Sequence, residues 1–83
     1  MPLMAFIKEP ILYTRPGCHL CDGVVANLLG MNVAYRPVNI DEDPELEQKY
    51  GLSIPVLYMP ESGRELFFPF DEDQLRRFLQ GGA

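Results

Sequence analysis

The reactive side chains of this chain are concentrated in one tetrapeptide. Cys18-His19-Leu20-Cys21 holds both cysteines and the one histidine of the 83 residues, and two cysteines scattered over that length would fall three apart only about one time in forty. A Cys-x-x-Cys pair either exchanges electrons as dithiol and disulfide or offers thiolates to a metal. Moving a thiol from its ordinary pKa of about 8.5 to about 7 raises its thiolate fraction at neutral pH from about 3% to about 50%. Intrinsic nucleophilicity falls about fivefold over the same range, so attack gains only about threefold and the larger benefit is a better leaving group. The first cysteine is the candidate nucleophile and the second, one helical turn behind, the candidate resolving thiol. His19 between them could stabilise the Cys18 thiolate or shuttle a proton, or simply face solvent. A zinc site would count Cys18, Cys21 and His19 and still need a fourth ligand that the sequence does not supply, so no metal is expected.

A thiolate needs a positive environment, and the flanking sequence offers one. Ile11-Leu12-Tyr13 is a short apolar run broken by Arg15-Pro16-Gly17, and Cys21, Val24, Val25 and Leu28 then recur at helical spacing. The pair therefore lies where a strand turns into a helix, with unpaired backbone N–H groups directed at Cys18. Gly30 sits where the C-terminal cap of that helix is expected. Val33 to Ile40 reads as a second strand, and Pro37 inside it confines it to a sheet edge. Asp43-Pro44 starts a short helix that presents Leu46 and Tyr50 on one face and stops at Gly51. Val56-Leu57-Tyr58-Met59 and Glu65-Leu66-Phe67-Phe68 form a hairpin around Pro60-Glu61-Ser62-Gly63-Arg64. Asp71 with Gln74 makes a capping box for a last helix whose buried stripe is Leu75, Phe78 and Leu79, with Phe70 stapled onto Leu75 and Gly81-Gly82 at its end. The order β-α-β-α-β-β-α predicts an α/β fold with a four-stranded mixed sheet. With right-handed parallel crossovers and the second strand at an edge, the sheet order is 2-1-3-4. Residues Ala5-Phe6-Ile7-Lys8 could extend a strand or drape over the core.

Length and charge bound the rest. Eighty-three residues make one domain, 1–83, with 47% apolar and 23% charged residues, an ordinary soluble globular composition. Twelve acidic against seven basic residues give a net charge of -5, which repels phosphate backbones and anionic lipid, so neither nucleic acid nor membrane is expected as a partner. Met1 to Ile7 has no basic residue ahead of a short apolar run, so a cytoplasmic protein is expected, with cysteines reduced most of the time. Nothing marks a large apolar surface excess, and a monomer is the default. Asp41-Glu42-Asp43 and Asp71-Glu72-Asp73 lack the spacing of a calcium loop and read as caps and solvated faces. Phe67 and Phe78 read as core, and Phe68 as core or surface with equal claim.

Arg15-Pro16-Gly17-Cys18-His19-Leu20-Cys21-Asp22, Ser53-Ile54-Pro55-Val56 and the element order together resemble the glutaredoxins of the thioredoxin superfamily. The Asn39-Ile40-Asp41-Glu42-Asp43-Pro44 stretch and Tyr50-Gly51-Leu52 narrow the resemblance to a group of small bacterial glutaredoxin-like proteins, over nearly the whole chain from Ile11. The resemblance implies a thioredoxin-like fold and thiol-disulfide oxidoreductase activity on a disulfide-containing protein or a small thiol. It implies a cis Pro55 lying against the cysteines and an Ile54 backbone offered to an extended substrate. Arg15, Pro16, His19, Ile54 and Pro55 would then bind substrate, with Cys18 and Cys21 catalytic. No cofactor is implied, glutathione being at most a co-substrate. Three departures bear on glutathione: Arg15 stands for the usual lysine, Ser53-Ile54-Pro55 keeps the cis-proline pattern loosely, and Phe68-Pro69-Phe70 with Asp71, Glu72 and Asp73 occupies the usual Gly-Gly region. Bulk and negative charge there oppose an anionic tripeptide, so weak or absent glutathione specificity is expected. Ile11-Leu12-Tyr13 also lacks an acid or lysine behind the cysteines. A non-catalytic interaction or redox-sensing module on the same fold is the alternative.

Overall fold

The computed structural model describes residues 9–81. It contains β1 (Ile11–Thr14), α1 (His19–Gly30), β2 (Arg36–Asn39), a 3-10 turn at Ile40–Glu42, α2 (Pro44–Tyr50), β3 (Val56–Met59), β4 (Arg64–Phe67) and α3 (Glu72–Leu79). The strands form one sheet in the order β2-β1-β3-β4. This is the thioredoxin-like α/β fold expected from the sequence. The segment Ala5-Phe6-Ile7-Lys8 and Gly82 lie outside the described residues.

Strand alternation sorts the core into two layers. Leu12 and Leu57 point to one face, where Val24 and Leu28 of α1 and Leu75 and Phe78 of α3 cover them. Tyr13 and Val56 point to the other, where Ile40 and Tyr50 close over them and Leu46 of α2 packs alongside. Three layers result, with the sheet between α1 and α3 on one side and α2 on the other. The i, i+4 pair Leu46 and Tyr50 explains how two turns of helix hold: packing fixes α2, as intrinsic propensity at that length cannot.

The crossovers differ from the sequence expectation. β1 and β2 are parallel, with Thr14 opposite Asn39, but β3 runs antiparallel to β1, with Tyr13 opposite Val56. The second connection therefore starts and finishes at the same end of the sheet. A seven-residue helix, about 10 Å long, suffices there because it need not travel back along the strands. β1, β2 and the start of β3 all reach this end, and the cysteines stand there.

Several boundaries also moved. α1 runs through Gly30, and its stop is Asn32, which takes the left-handed conformation at φ 58°. The Asn32 amide donates to the Leu29 carbonyl at 3.1 Å and the Val33 amide to Leu28 at 2.9 Å, the paired bonds of a Schellman ending with asparagine in the glycine role. β2 is confined to Arg36–Asn39, because Asn39 caps the 3-10 turn and takes Ile40 out of the strand. β4 begins at Arg64 and ends at Phe67, so Phe68 lies beyond it, followed by Pro69, which has no N–H to continue a ladder. Phe78 is core, but Phe67 is 46% exposed. It stands opposite Val56 on the face that α2 covers only in part.

Candidate functional site

The site is built by a turn. Pro16 supplies the fixed φ and Gly17, at φ 79°, the left-handed residue of a type II pattern, closed by the Cys18 amide donating to the Arg15 carbonyl at 3.3 Å. This delivers Cys18 as the N-cap of α1, with φ -83° and ψ 102°. Its sulfur accepts the Cys21 amide at 3.1 Å. Cysteine thus takes the part that serine or aspartate usually plays at a helix start: its sulfur satisfies one of the orphan N–H groups and faces the positive end of the dipole.

Cys18 and Cys21 are joined in a disulfide with Cα atoms 5.2 Å apart. Their environments differ. Cys18 is half-buried at the helix tip, whereas Cys21 is 2% exposed and lies on the buried stripe of α1 with Val24 and Leu28. His19 and Leu20 between them are exposed, as are Pro16 and Gly17. Asp22 adds an exposed carboxylate in the first turn.

A second loop arrives at the same end of the sheet. Ile54-Pro55 is cis and Pro55 is fully buried. Because Tyr13 pairs with Val56, Pro55 stands one step beyond the paired register, level with Thr14 and the chain leading to Cys18. The Ser53 and Ile54 amides both donate to the Tyr50 carbonyl, at 2.8 and 3.1 Å, so this loop hangs from the end of α2. Tyr50 is anchored in turn. Its ring stacks on Tyr13 with centroids 4.6 Å apart, and its hydroxyl donates to the Glu65 carboxylate on β4, which also lies 3.6 Å from Lys49 Nζ. Burial, then the hydrogen bond to Glu65, push the Tyr50 phenol up above the ordinary range; Tyr13 is also raised, by burial and then by the charges of its neighbours.

Arg15 has a fuller set of partners than its place in the motif suggests. Nε and Nη2 donate to Asp41 Oδ1 at 3.0 and 2.8 Å, Nη2 also to Glu47 Oε2 at 3.3 Å, and Nη1 to the Gly51 carbonyl at 3.3 Å. The hydrogen bond to Asp41 is the largest cause holding the guanidinium above its ordinary range. Asp41 is exposed, as expected of a solvated face, and also pairs with Arg15, while Asn39 caps the 3-10 turn and Asp43 caps α2.

The structure therefore brings Arg15, Cys18, Cys21, Ile54 and Pro55 to one end of the sheet and leaves Pro16 and His19 exposed beside them. Sequence reasoning missed Asp41, Glu47 and Gly51 around Arg15, the Tyr50 to Glu65 bond, and the cis Phe68-Pro69 bond. The Phe68 amide donates to the Pro55 carbonyl at 3.4 Å, so this second cis proline borders the same loop. The one available signal for the Arg15 partners was the excess of carboxylates between 41 and 47 over local cations. Among the described residues no three His, Cys, Asp or Glu side chains converge to hold a metal ion, and no helix is long and apolar enough to cross a membrane.

Residues 10–80 match the family described as "Glutaredoxin-like domain (DUF836)". The chain is similar to protein XcR50 from X. campestris, whose X-ray structure is 45% identical with a TM-score of 0.80, covering 90% of this chain and 100% of that one. It is also similar to protein Ne2328 from Nitrosomonas europaea, 28% identical with a TM-score of 0.73, over 84% of this chain and 88% of that one. The thioredoxin-like protein BC3987 shares the fold at 22% identity and a TM-score of 0.65, over 86% of this chain and 99% of that one. No curated protein sequence matches.

Proposed function

The chain belongs to the glutaredoxin-like domain family, and from that premise we propose that it is a thiol-disulfide oxidoreductase acting through Cys18 and Cys21. One observation carries the reading: the half-exposed sulfur caps a helix and accepts an amide hydrogen bond, while its partner one turn behind is closed off from solvent. That asymmetry suits two-step exchange. The Cys18 thiolate attacks one sulfur of a substrate disulfide, forming a mixed disulfide and expelling the other sulfur as a thiolate. Cys21, giving up its proton, attacks Cys18 Sγ, expels the second substrate thiolate and leaves the Cys18–Cys21 disulfide. The substrate gains two electrons and two protons, and the dithiol is restored by an external thiol reductant that becomes oxidised.

Substrate enters along the exposed Pro16 and His19 edge. An extended segment pairs its backbone with the carbonyl of Ile54, whose amide is committed to Tyr50. The reading favours protein or neutral disulfides over glutathione. Asp71 accepts the Gln74 amide at 2.7 Å and Gln74 accepts the Asp71 amide at 2.9 Å, so the start of α3, where an anionic carboxylate would find donors, already holds its own acid. Action as a monomer in the cytoplasm, with no bound cofactor, completes the proposal.

Paired variants test it. Cys18→Ser should abolish reduction of a peptide disulfide, whereas Cys21→Ser should accumulate a covalent adduct at Cys18, detected by mass. Full turnover by Cys18→Ser would overturn Cys18 as the nucleophile, and a wild-type protein that reduces no disulfide would overturn the enzyme reading in favour of an interaction module.

A further inference from the structure

We propose that Arg15 is a positioning residue that ties the nucleophile turn to the loop of the cis proline, rather than a docking charge for an anionic substrate; the proposal rests on the oxidoreductase reading above. Arg15 makes contacts in both directions. Its backbone carbonyl closes the turn that presents Cys18, at 3.3 Å from that amide. Its side chain reaches residues 26, 32 and 36 positions away and ends on the Gly51 carbonyl. Four residues after Gly51 comes Pro55, and the intervening Ser53 and Ile54 amides hang from Tyr50. The guanidinium is therefore a strut between the reacting sulfur and the backbone that would align a substrate.

Local charge argues the same way. The guanidinium carries one positive charge and faces two carboxylates, Asp41 and Glu47, so an incoming anion meets a net negative cluster. All three guanidinium nitrogens are already donating, in the planar fork geometry that lysine cannot reproduce.

Gly51 completes the device. A Cβ there would stand 2.4 Å from the Glu47 carbonyl and 2.8 Å from Glu47 Oε2, closer than real Cβ atoms come. Glycine lets Glu47 fold back over the turn and lets the Gly51 carbonyl face Arg15. The four partners thus form one unit, in which changes at different members should not add.

A substrate with an extended backbone uses both the sulfur and the Ile54 loop, whereas a small neutral disulfide uses the sulfur alone. The experiment compares Arg15→Gln, Asp41→Ala, the double variant and Arg15→Lys on an unstructured peptide disulfide, on bis(2-hydroxyethyl) disulfide and on glutathione disulfide. The ratio of kcat/KM, peptide over small neutral disulfide, should fall about tenfold in Arg15→Gln, short of the roughly hundredfold cost of a 1 Å misplacement. It should fall similarly in Asp41→Ala and no further in the double variant, and Arg15→Lys should restore only part of it. Equal losses on both disulfides would overturn the proposal. So would glutathione disulfide turnover that falls in Arg15→Gln but rises in Asp41→Ala, the mark of a freed anion anchor.

Hydrogen exchange reads the same strut without turnover. In Arg15→Gln the Cys18 and Ile54 amides should exchange faster together while Leu57 keeps its protection; unchanged exchange at Ile54 would overturn the proposal. If the wild-type protein shows no Cys18-dependent turnover, the oxidoreductase reading fails by itself, and the exchange data still decide the strut.

Discussion

Replacing Tyr50 with Phe deletes one oxygen and keeps the ring that stacks on Tyr13 at 4.6 Å, so the change isolates the hydroxyl that donates to Glu65. Hydrogen bonds to charged groups contribute about 1.5–3 kcal/mol. Glu65 keeps 26% side-chain exposure and has Lys49 Nζ at 3.6 Å, so water and an ammonium take over part of the lost solvation. The cost should sit at the low end, about 1.5 kcal/mol. Unfolding 83 residues carries an entropy of roughly 0.17 kcal/mol/K at about 2.1 cal/mol/K per residue, which turns that cost into a fall in Tm of about 9 °C. The phenol is raised in the folded protein by burial first and the Glu65 bond second. Its stabilising contribution is therefore complete below the unfolded value of about 10 and is lost as pH rises beyond it, because the unfolded chain releases the proton while the folded one retains it. Thermal melts of both proteins from neutral pH to about pH 11 should show a gap that holds up to about pH 10 and narrows above it. A gap that stays constant throughout, or a Tm that does not move, would refute the buried hydrogen bond as the anchor of this loop.

Other outcomes follow from the same structure. Leu57→Ala leaves a cavity between the sheet and α1 and α3, where Leu57 is fully buried, and should cost about 2–5 kcal/mol in urea unfolding. Asp71→Ala removes the cap of α3 at a cost of about 1 kcal/mol, yet should raise glutathione disulfide turnover about fivefold, the Coulomb penalty of one carboxylate at about 4 Å in water; unchanged turnover would remove α3 from the account of substrate choice. Asp22→Asn takes a negative charge from the first turn beside Cys18, so alkylation of the reduced protein at pH 7 should quicken about twofold at low salt and less at high salt.

Local signals were legible in the sequence and distant ones were not, and the division follows from chemistry. A Pro-Gly turn before Cys18, an Asp43-Pro44 helix start and an Asp71 to Gln74 capping box are written within four residues each, and each stands where it was expected. Pro37 fixed an edge because a missing donor is a property of the residue itself. The last residue of α1 is Gly30, as expected, but its cap was misplaced: Gly30 and Asn32 both carry stop signals, and only the bonds from Asn32 and Val33 back to Leu29 and Leu28 decide between them. Phe67 was misread because alternation gives its face but not how much of that face α2 covers.

The limits are clearest at Arg15. In the sequence it stands three residues before a reactive cysteine, and its type and place suggest a charge awaiting an anion. What reverses that is the sheet register: parallel pairing sets Asn39 beside Thr14 and so brings Asp41 within reach, while the antiparallel return of β3 sends the chain through Glu47 and Gly51 at the same end. Neither carboxylate lies within 25 positions of Arg15, so no window reading could have neutralised it. A positive charge near a redox cysteine is thus a recognition signal only once the fold has shown that its own carboxylates leave it unspent. Here the topology that carries cis Pro55 to the end of β1 also carries the acids that occupy Arg15.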